Sequence, residues 1–352
     1  MAMGELDVCH SNARMETPAI SFVRCSIIVP THDDRGELAP CLHALRAELA
    51  ATSELIVVVD GPPAEPATAV ALGAGARVLA LERRRGPAAA RNHGATHAQG
   101  EVLVFVDADV VVRAGGLARI GRTFADDPAL TAMFGSYDDS PRSPGLVSRY
   151  RNLLHHFVHQ EGSATATTFW AGLGAVRRAD FWKVGGFDAA AFTRPSVEDI
   201  ELGYRLRAAG GRILLDRELQ GTHLKRWTLS SMIRTDVLNR AMPWARLVLA
   251  KDRVPSELNL GASQRTSAGL AMVALVGAVL AVWRPILLLF VVVALLVVLA
   301  INWRFYRLLG RRGGVRLAVV GFALHLLYFL YSAASFALVW LGMRLRFRRA
   351  CR

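Results

Sequence analysis

The chain has 352 residues, 53% of them hydrophobic, with a formal net charge of +13 and a mean hydropathy of +0.30. It is too long for one small domain and too apolar for a purely soluble enzyme, so a water-facing body joined to a membrane-facing part is expected. A basic chain usually meets nucleic acid or anionic lipid; no recognition helix or aromatic RNA motif is present, which excludes the first and leaves membrane lipid. Cys9, Cys25, Cys41 and Cys351 have no paired spacing. Neither a disulfide framework nor a zinc site is therefore indicated, and a reducing cytoplasm fits. Residues 1–20 hold Glu5, Asp7, Arg14 and Glu16 without an apolar core, which is not a signal-peptide pattern, so the soluble part is expected in the cytoplasm.

In chain order, Cys25 to Thr31 is a short apolar strand. Glu37 to Ala51 puts Leu38, Leu42, Leu45 and Leu49 at helical spacing. Glu54 to Pro63 is a second strand, ending in Asp60 and turn residues, and Pro62 to Gly75 is an ordinary loop and short helix. Gly86 to Gly94 opens a further helix with Pro87 in its first turn. Glu101 to Val112 (EVLVFVDADVVV) is an unbroken apolar run that delivers Asp107 and Asp109 one residue apart. Such a run reads as a strand buried on both faces of a parallel sheet, and ligands sit at the carboxyl ends of these strands. Two carboxylates there repel each other and lose hydration, which a divalent cation such as Mg²⁺ or Mn²⁺ relieves; an isolated pair would equally suit a solvated strand end. The layout is that of a nucleotide-binding βαβ fold without GxGxxG or GxxxxGK[ST], so metal and arginine must hold a diphosphate.

Further on, His155 and His159 share a helical face but have no acid or cysteine beside them, which favours a structural role over a metal site. Trp170-Ala-Gly-Leu-Gly174 is either a stacking surface, with small residues that let a sugar approach the backbone, or part of the core. Glu198-Asp199 opens a helix running to Ala209, where carboxylates also suit the macrodipole. His223 to Trp227 reads HLKRW.

The series IIVPTHDD, VVVDGPP, GPAAARNHGATHAQGE, VLVFVDADV, WAGLGAVRRADFWKVGGFD and VEDIELGYRLRAAG resembles the inverting family 2 glycosyltransferases of the GT-A fold, over roughly residues 22 to 228. The resemblance implies an α/β fold with a Rossmann-like, mostly parallel sheet and a nucleotide-diphosphate sugar donor. It makes Pro30 and Thr31 the start of the donor pocket and Asp60 the carboxylate that reads the base, although Gly61 stands where the family often has a second acid. Arg83, Arg84 and Arg85 form either a phosphate-contacting or a solvated basic loop, with Arg84 the choice for the donor. Arg91 matches a donor contact and Asn92 fixes a turn; Asp107 and Asp109 match the metal motif, with Asp109 the direct ligand. Gly185-Gly186-Phe187-Asp188 is the family's structural turn. Inverting transfer needs a base for the acceptor hydroxyl, and the resemblance implies Asp199 with Glu198 in support. HLKRW resembles the QxxRW motif of membrane polysaccharide synthases with His223 in place of Gln; Arg226 would then meet the diphosphate and Trp227 the acceptor, and His223 would instead complete the metal shell.

Ser267 to Trp283, Ile286 to Asn302 and Leu317 to Leu341 are nearly free of charge. At ~1.5 Å per residue, stretches of ~17 to 25 residues cross a ~30 Å hydrocarbon core. Trp227 to Leu260 mixes Met232, Ile233, Val237 and Leu238 with Arg234, Arg240, Arg246 and Lys251, as amphipathic helices at a membrane surface do. Trp303 to Arg316 and Met343 to Arg352 each carry five arginines, and a single span between them cannot keep both in the cytoplasm.

The expected organisation is a tail (1–21), a catalytic domain (22–228), interfacial helices (229–265), a transmembrane region of about three helices (266–342) and a basic tail (343–352). The expected activity is metal-dependent transfer from a nucleotide-diphosphate sugar to a hydroxyl of a lipid-linked or lipid-like acceptor at the cytoplasmic face of the membrane. A polyprenyl-phosphate sugar synthase would need no base, a processive polysaccharide synthase would want a full QxxRW, and a non-enzymatic scaffold would be expected to lose one of the acidic motifs.

Overall fold

A computed structural model of the chain describes residues 23–33, 36–63, 65–250 and 261–350, with side chains to 345. The expected tail at 1–21, residues 251–260 of the expected interfacial segment (229–265), and most of the basic tail's side chains lie outside the described residues.

Strands β1 (Cys25–Thr31), β2 (Glu54–Val59), β3 (Arg77–Ala80) and β4 (Val102–Val106) lie parallel in the order β3-β2-β1-β4. Helices α1 (Leu38–Glu48), α2 (Glu65–Gly73) and α3 (Pro87–His97) cross between them. Side-chain alternation divides the core in two. Ile27, Val29, Val57 and Val104 face α1, with its Leu38, Leu42 and Leu45, while Ile28, Ile56, Val58 and Phe105 face the alanines of α3. Helix α3 lies so close that a Cβ at Gly94 would meet Ile28 at 2.6 Å. Both faces are covered, which is why β2 and β4 are continuous apolar runs.

The apolar run through Val112 is not one strand. β4 ends at Val106, the acidic pair forms a turn, and β5 (Val110–Val112) leaves to pair with β9. Beyond β4 the sheet is mixed: order β4-β8-β6-β9-β5, with β8 (Leu173–Arg177) antiparallel to β4 and to β6 (Ala132–Tyr137), and β9 (Ile213–His223) parallel to β6. The expected parallel order thus holds for the nucleotide-binding half, and β7 (Thr165–Ala166) adds a short antiparallel pairing with β9. Helices α4 (Gly116–Asp126), α5 (Leu146–Glu161), α6 (Arg178–Lys183) and α7 (Glu198–Ala208) complete the domain.

After the sheet come α8 (Leu229–Arg234), a π-helix (Thr235–Ala241) and α9 (Met242–Leu249). They are followed by α10 (Ala262–Leu280), α11 (Leu287–Ile301) and α12 (Trp303–Ala350), the last broken at Gly314, whose φ is +71°. Two of these, 262–280 and 303–345, are long and apolar enough to cross a membrane, and 287–301 is shorter. Val276, Val279, Leu288, Phe290 and Leu296 stand exposed on α10 and α11. The other C-terminal surface is joined to the catalytic domain: Phe305, Tyr306, Leu309 and Leu317 pack with Tyr150, Leu153 and Leu154 of α5, and with Trp227 and Met232. Full burial of one such side chain contributes roughly 1.5–3 kcal/mol, so this seam holds the two parts as one folded unit. Arg304 pairs with Glu161 at 2.5 Å and Arg312 with Asp139, so the basic segment before the Gly314 break lies against the catalytic domain.

Candidate active site

A cavity of about 1100 Å³ opens at the carboxyl ends of β1, β2 and β4 and continues to the C-terminal helices. Pro30, Thr31, Asp60, Arg84, Arg91, Asp107, Asp109, Trp170, Glu198, Asp199, His223 and Trp227 all line it. Of the expected site residues, Arg226 alone does not. Positions 223, 225 and 227 line the wall while 224 and 226 do not, so the alternation of β9 carries on past its end and turns Lys225 inward in place of Arg226. Lys225 Nζ sits 4.5 Å over the Trp227 ring.

The acidic turn is tied on both sides. Asp107 N–H donates to Gly172 O at 3.1 Å, and Leu224 N–H donates to Asp109 O at 2.8 Å. Register pairs Val110 with His223, which brings His223 Nε2 to 3.4 Å from Asp109 Oδ2. Burial works upward on the Asp109 carboxyl, but the His223 hydrogen bond and the charge of Lys225 outweigh it and hold it below the usual range. Asp107 is the opposite case: burial, reinforced by Asp109, keeps its carboxyl above the usual range even with Arg91 beside it. Asp107 is thus left short of positive charge, which is what a divalent cation supplies. Among the described residues no group of three or more His, Cys, Asp or Glu side chains forms a ready-made metal cage. Asp109 and His223, with Asp107 next to them, nevertheless fit a Mg²⁺ or Mn²⁺ whose remaining ligands are phosphate oxygens and water, since these ions commonly keep few protein ligands.

Arg91 is buried in the first turns of α3. Its Nη2 donates to Asp107 Oδ1 at 2.7 Å and its Nη1 to Glu198 Oε1 at 2.9 Å. Burial opposes its charge, but Asp107, Glu198 and Asp199 overcome this and keep it firmly protonated. Two of its nitrogens are thus engaged inside the protein while Nε has no partner, and Arg91 is the strut between the two acidic motifs on the cavity wall. Its neighbour Asn92 exchanges two hydrogen bonds with the backbone of Phe187, which fixes the Gly185-Gly186 turn. Asp60 likewise acts locally, its carboxylate accepting from the Arg85 and Gly86 amides at 2.7 and 2.9 Å. That holds the arginine loop so that Arg84 faces the cavity, and a carboxylate has lone pairs left for a base.

Glu198 and Asp199 start α7. Glu198 is buried, with Oε2 accepting from Ser196 N–H at 2.8 Å. Asp199 accepts from the amides of Ala171 at 3.2 Å and Ile200 at 2.8 Å. Burial, and then the charge of Glu198, push the Asp199 carboxyl up to about 7, against the pull of Arg91. A carboxyl poised near neutrality is suited to taking a proton at cellular pH.

Trp170 has its ring 4.6 Å from His155 and 4.9 Å from Tyr137, and Tyr137 stacks on His223 at 4.2 Å. The glycines after it do not admit a sugar to the backbone. A Cβ at Gly172 would meet the Trp170 indole at 2.4 Å, so that space belongs to Trp170 itself. The His155 and His159 rings lie 4.0 Å apart at a 42° tilt, and His159 Nδ1 bonds to Gly135 O at 2.9 Å. Burial holds both imidazoles below their ordinary range, hence neutral, in keeping with a structural role. Sequence reading missed Arg151, which lines the cavity one turn before His155; the spacing 151, 155, 159 on one helical face was the available signal.

A mixed α/β sheet that sets an acidic turn at the end of one strand against a second acidic pair at a helix start, around one long cavity, defines a glycosyltransferase of the GT-A fold. The family model described as glycosyl transferase family 2 matches residues 26–238, and the chain belongs to that family. Among curated relatives, the validoxylamine A glucosyltransferase of Streptomyces hygroscopicus subsp. jinggangensis is 32% identical over 163 residues, covering 38% of this chain and 38% of that protein. The pre-mycofactocin glycosyltransferase of Mycobacterium tuberculosis is 29% identical over 196 residues, covering 53% of this chain and 40% of that protein. The match thus spans about two fifths of those relatives' length. The mannosyltransferase PcManGT of Pyrobaculum calidifontis, solved with GDP-Man and Mn²⁺, superposes with a TM-score of 0.57 at 19% identity. That superposition covers 90% of this chain and 88% of that one, a likeness of fold.

Proposed function

We propose that the protein is a metal-dependent, inverting transferase that moves a sugar from a nucleotide-diphosphate sugar to a hydroxyl of a lipid-linked or lipid-like acceptor at the cytoplasmic face of a membrane. One observation carries this reading: the cavity that holds Asp199, its carboxyl pushed up to about 7, also runs between α9, α10 and α12, where Val248, Ala268 and Phe336 line it. A water-soluble acceptor would have no use for such a wall.

In this reading Pro30, Thr31, Asp60 and Arg84 receive the nucleotide. Asp109 and His223 would hold Mg²⁺ or Mn²⁺, which when bound supplies positive charge to the diphosphate. Lys225 offers a further cation on the same wall, where sequence had placed Arg226. Asp199 takes the proton of the acceptor hydroxyl as its oxygen attacks the anomeric carbon from the face opposite the diphosphate. Glu198, locked to Arg91, keeps α7 and therefore Asp199 in place, and its negative charge helps make Asp199 basic. Trp170 and Trp227 flank the acceptor. The exposed apolar sides of α10 and α11 enter the lipid, so that the protein is an integral membrane protein.

The test is transfer of radioactive sugar into the lipid fraction by membranes containing the protein, across a panel of nucleotide sugars with and without Mn²⁺. Label that stays wholly in water-soluble products would remove the lipid acceptor.

A further inference from the structure

Where α5, the π-helix and α10 form its wall, the cavity is lined by three guanidinium groups: Arg151, Arg240 and Arg265. Asp236, also on this wall, is already in use. Its Oδ1 accepts from Arg151 Nη2 at 2.8 Å and from Arg240 Nη1 at 3.3 Å, and its Oδ2 accepts from Tyr331 OH at 2.6 Å. Among the described residues of this wall, three cations meet one engaged carboxylate: Arg151 is largely buried, while Arg240 is partly and Arg265 more fully exposed to solvent, so the positive surplus draws an anion in toward the buried guanidinium.

A second observation points the same way. Arg151 Nε and the indole Nε1 of Trp227 are buried without a hydrogen-bond partner, and both side chains line the cavity. Trp227 is only 6% exposed. Neither group can accept a hydrogen bond, and buried donors are normally matched. Donor-only groups and surplus cations together call for a ligand rich in acceptor oxygens. Guanidinium forks and an N–H suit a phosphate.

We propose that Arg151, Arg240, Arg265 and the Trp227 indole form a binding site for the phosphate group of the acceptor lipid. Its hydrocarbon chain then lies along the apolar wall, and the hydroxyl that reacts is presented to Asp199. This rests on the reading that the acceptor is an amphiphile bound in this cavity. The phosphate serves as a handle; no bond to it is made or broken. The donor's diphosphate is the other source of the same chemistry, and the experiment separates the two.

Full-length protein in detergent micelles is titrated calorimetrically with farnesyl phosphate and with farnesol, the same chain without the phosphate. Farnesyl phosphate is expected to bind at least tenfold more tightly. That advantage should fall severalfold in Arg240→Gln and in Arg265→Gln, and UDP or GDP with Mn²⁺ should leave it in place. Arg151→Gln is the stronger variant but loosens the Asp236 junction, so the other two are read first. Equal affinity for the two lipids overturns the phosphate site while leaving an amphiphilic acceptor standing. Binding of neither lipid removes the amphiphile reading as well. Displacement of farnesyl phosphate by the nucleotides would assign these cations to the donor and end the proposal.

Discussion

Arg91 and Glu198 are 107 residues apart in the chain and 2.9 Å apart in the fold. The same guanidinium reaches Asp107 at 2.7 Å, so one buried cation ties the acidic turn after β4 to the start of α7. The contact with Glu198 is not a surface ion pair, since both side chains are only 6% exposed, whereas Asp107 is 33% exposed toward the cavity. Removing one member of such a cluster strands the others without compensation.

Arg91→Met should therefore destabilise the protein by about 3–5 kcal/mol, the usual cost of breaking a buried pair from one side. Arg91→Lys should recover only part of this, because a single ammonium cannot reach both carboxylates as a fork does. Guanidinium chloride unfolding followed by tryptophan fluorescence measures the difference. A midpoint unchanged in Arg91→Met would mean that the strut bears no weight.

The metal reading gives a second expectation. Asp109→Asn and His223→Gln should leave the fold intact and abolish the Mn²⁺-dependent part of nucleotide binding, whereas Arg226→Gln, which lies off the cavity wall, should retain it. Isothermal titration with UDP and GDP, with and without Mn²⁺, separates the three. Undiminished Mn²⁺ dependence in Asp109→Asn would take that carboxylate out of the site.

The parts of the fold that were legible in sequence are those where burial on both faces writes a continuous pattern. β1, β2 and β4 are apolar from end to end because α1 covers one side and α3 the other. The acidic motifs were legible for the opposite reason, as carboxylates at strand or helix ends where a core would exclude them. What escaped depended on direction rather than composition. Lys225 and Arg226 are both cations, and only the alternation inherited from β9 turns the first toward the cavity. Arg151 looked like one more arginine of a basic chain until α5 was seen to carry it into the cavity. Gly172 read as room for a sugar because nothing in the sequence says that the indole two residues earlier folds back over it. The π-helix at 235–241 has no periodic signature of its own, since its residues are those of any amphipathic helix.

Membrane insertion makes a third expectation. Full-length protein should stay with membranes through alkaline carbonate washing and leave them only with detergent, because α10 and α11 present Val276, Val279, Leu288 and Phe290 outward. Replacing Val276, Leu288 and Phe290 together with serine should shift a substantial share into the wash. Release of the unaltered protein by carbonate would contradict insertion.

Asp199 joins pH, stability and rate in one residue. Its carboxyl rises from an ordinary 3.8 to about 7 through burial and then through Glu198. The folded state therefore holds this proton more tightly than the unfolded chain does. The resulting stability is fully present below the unfolded value and is lost as pH rises toward 7. Asp199→Asn removes the titration, so its melting temperature should exceed that of the wild type by a margin that grows between pH 5 and 7 and then levels off. Catalysis should move the other way. As general base, Asp199 must be unprotonated, so single-turnover transfer by the wild type should fall about tenfold per pH unit below about 7. Asp199→Asn at saturating donor should lose ~10²- to 10⁴-fold in rate with donor affinity nearly unchanged, the mark of an interaction needed in the transition state. A phosphate nucleophile is already ionised near neutral pH and needs no base. A loss smaller than about tenfold would therefore transfer the attack from a hydroxyl to the lipid phosphate itself and make the enzyme a polyprenyl-phosphate sugar synthase.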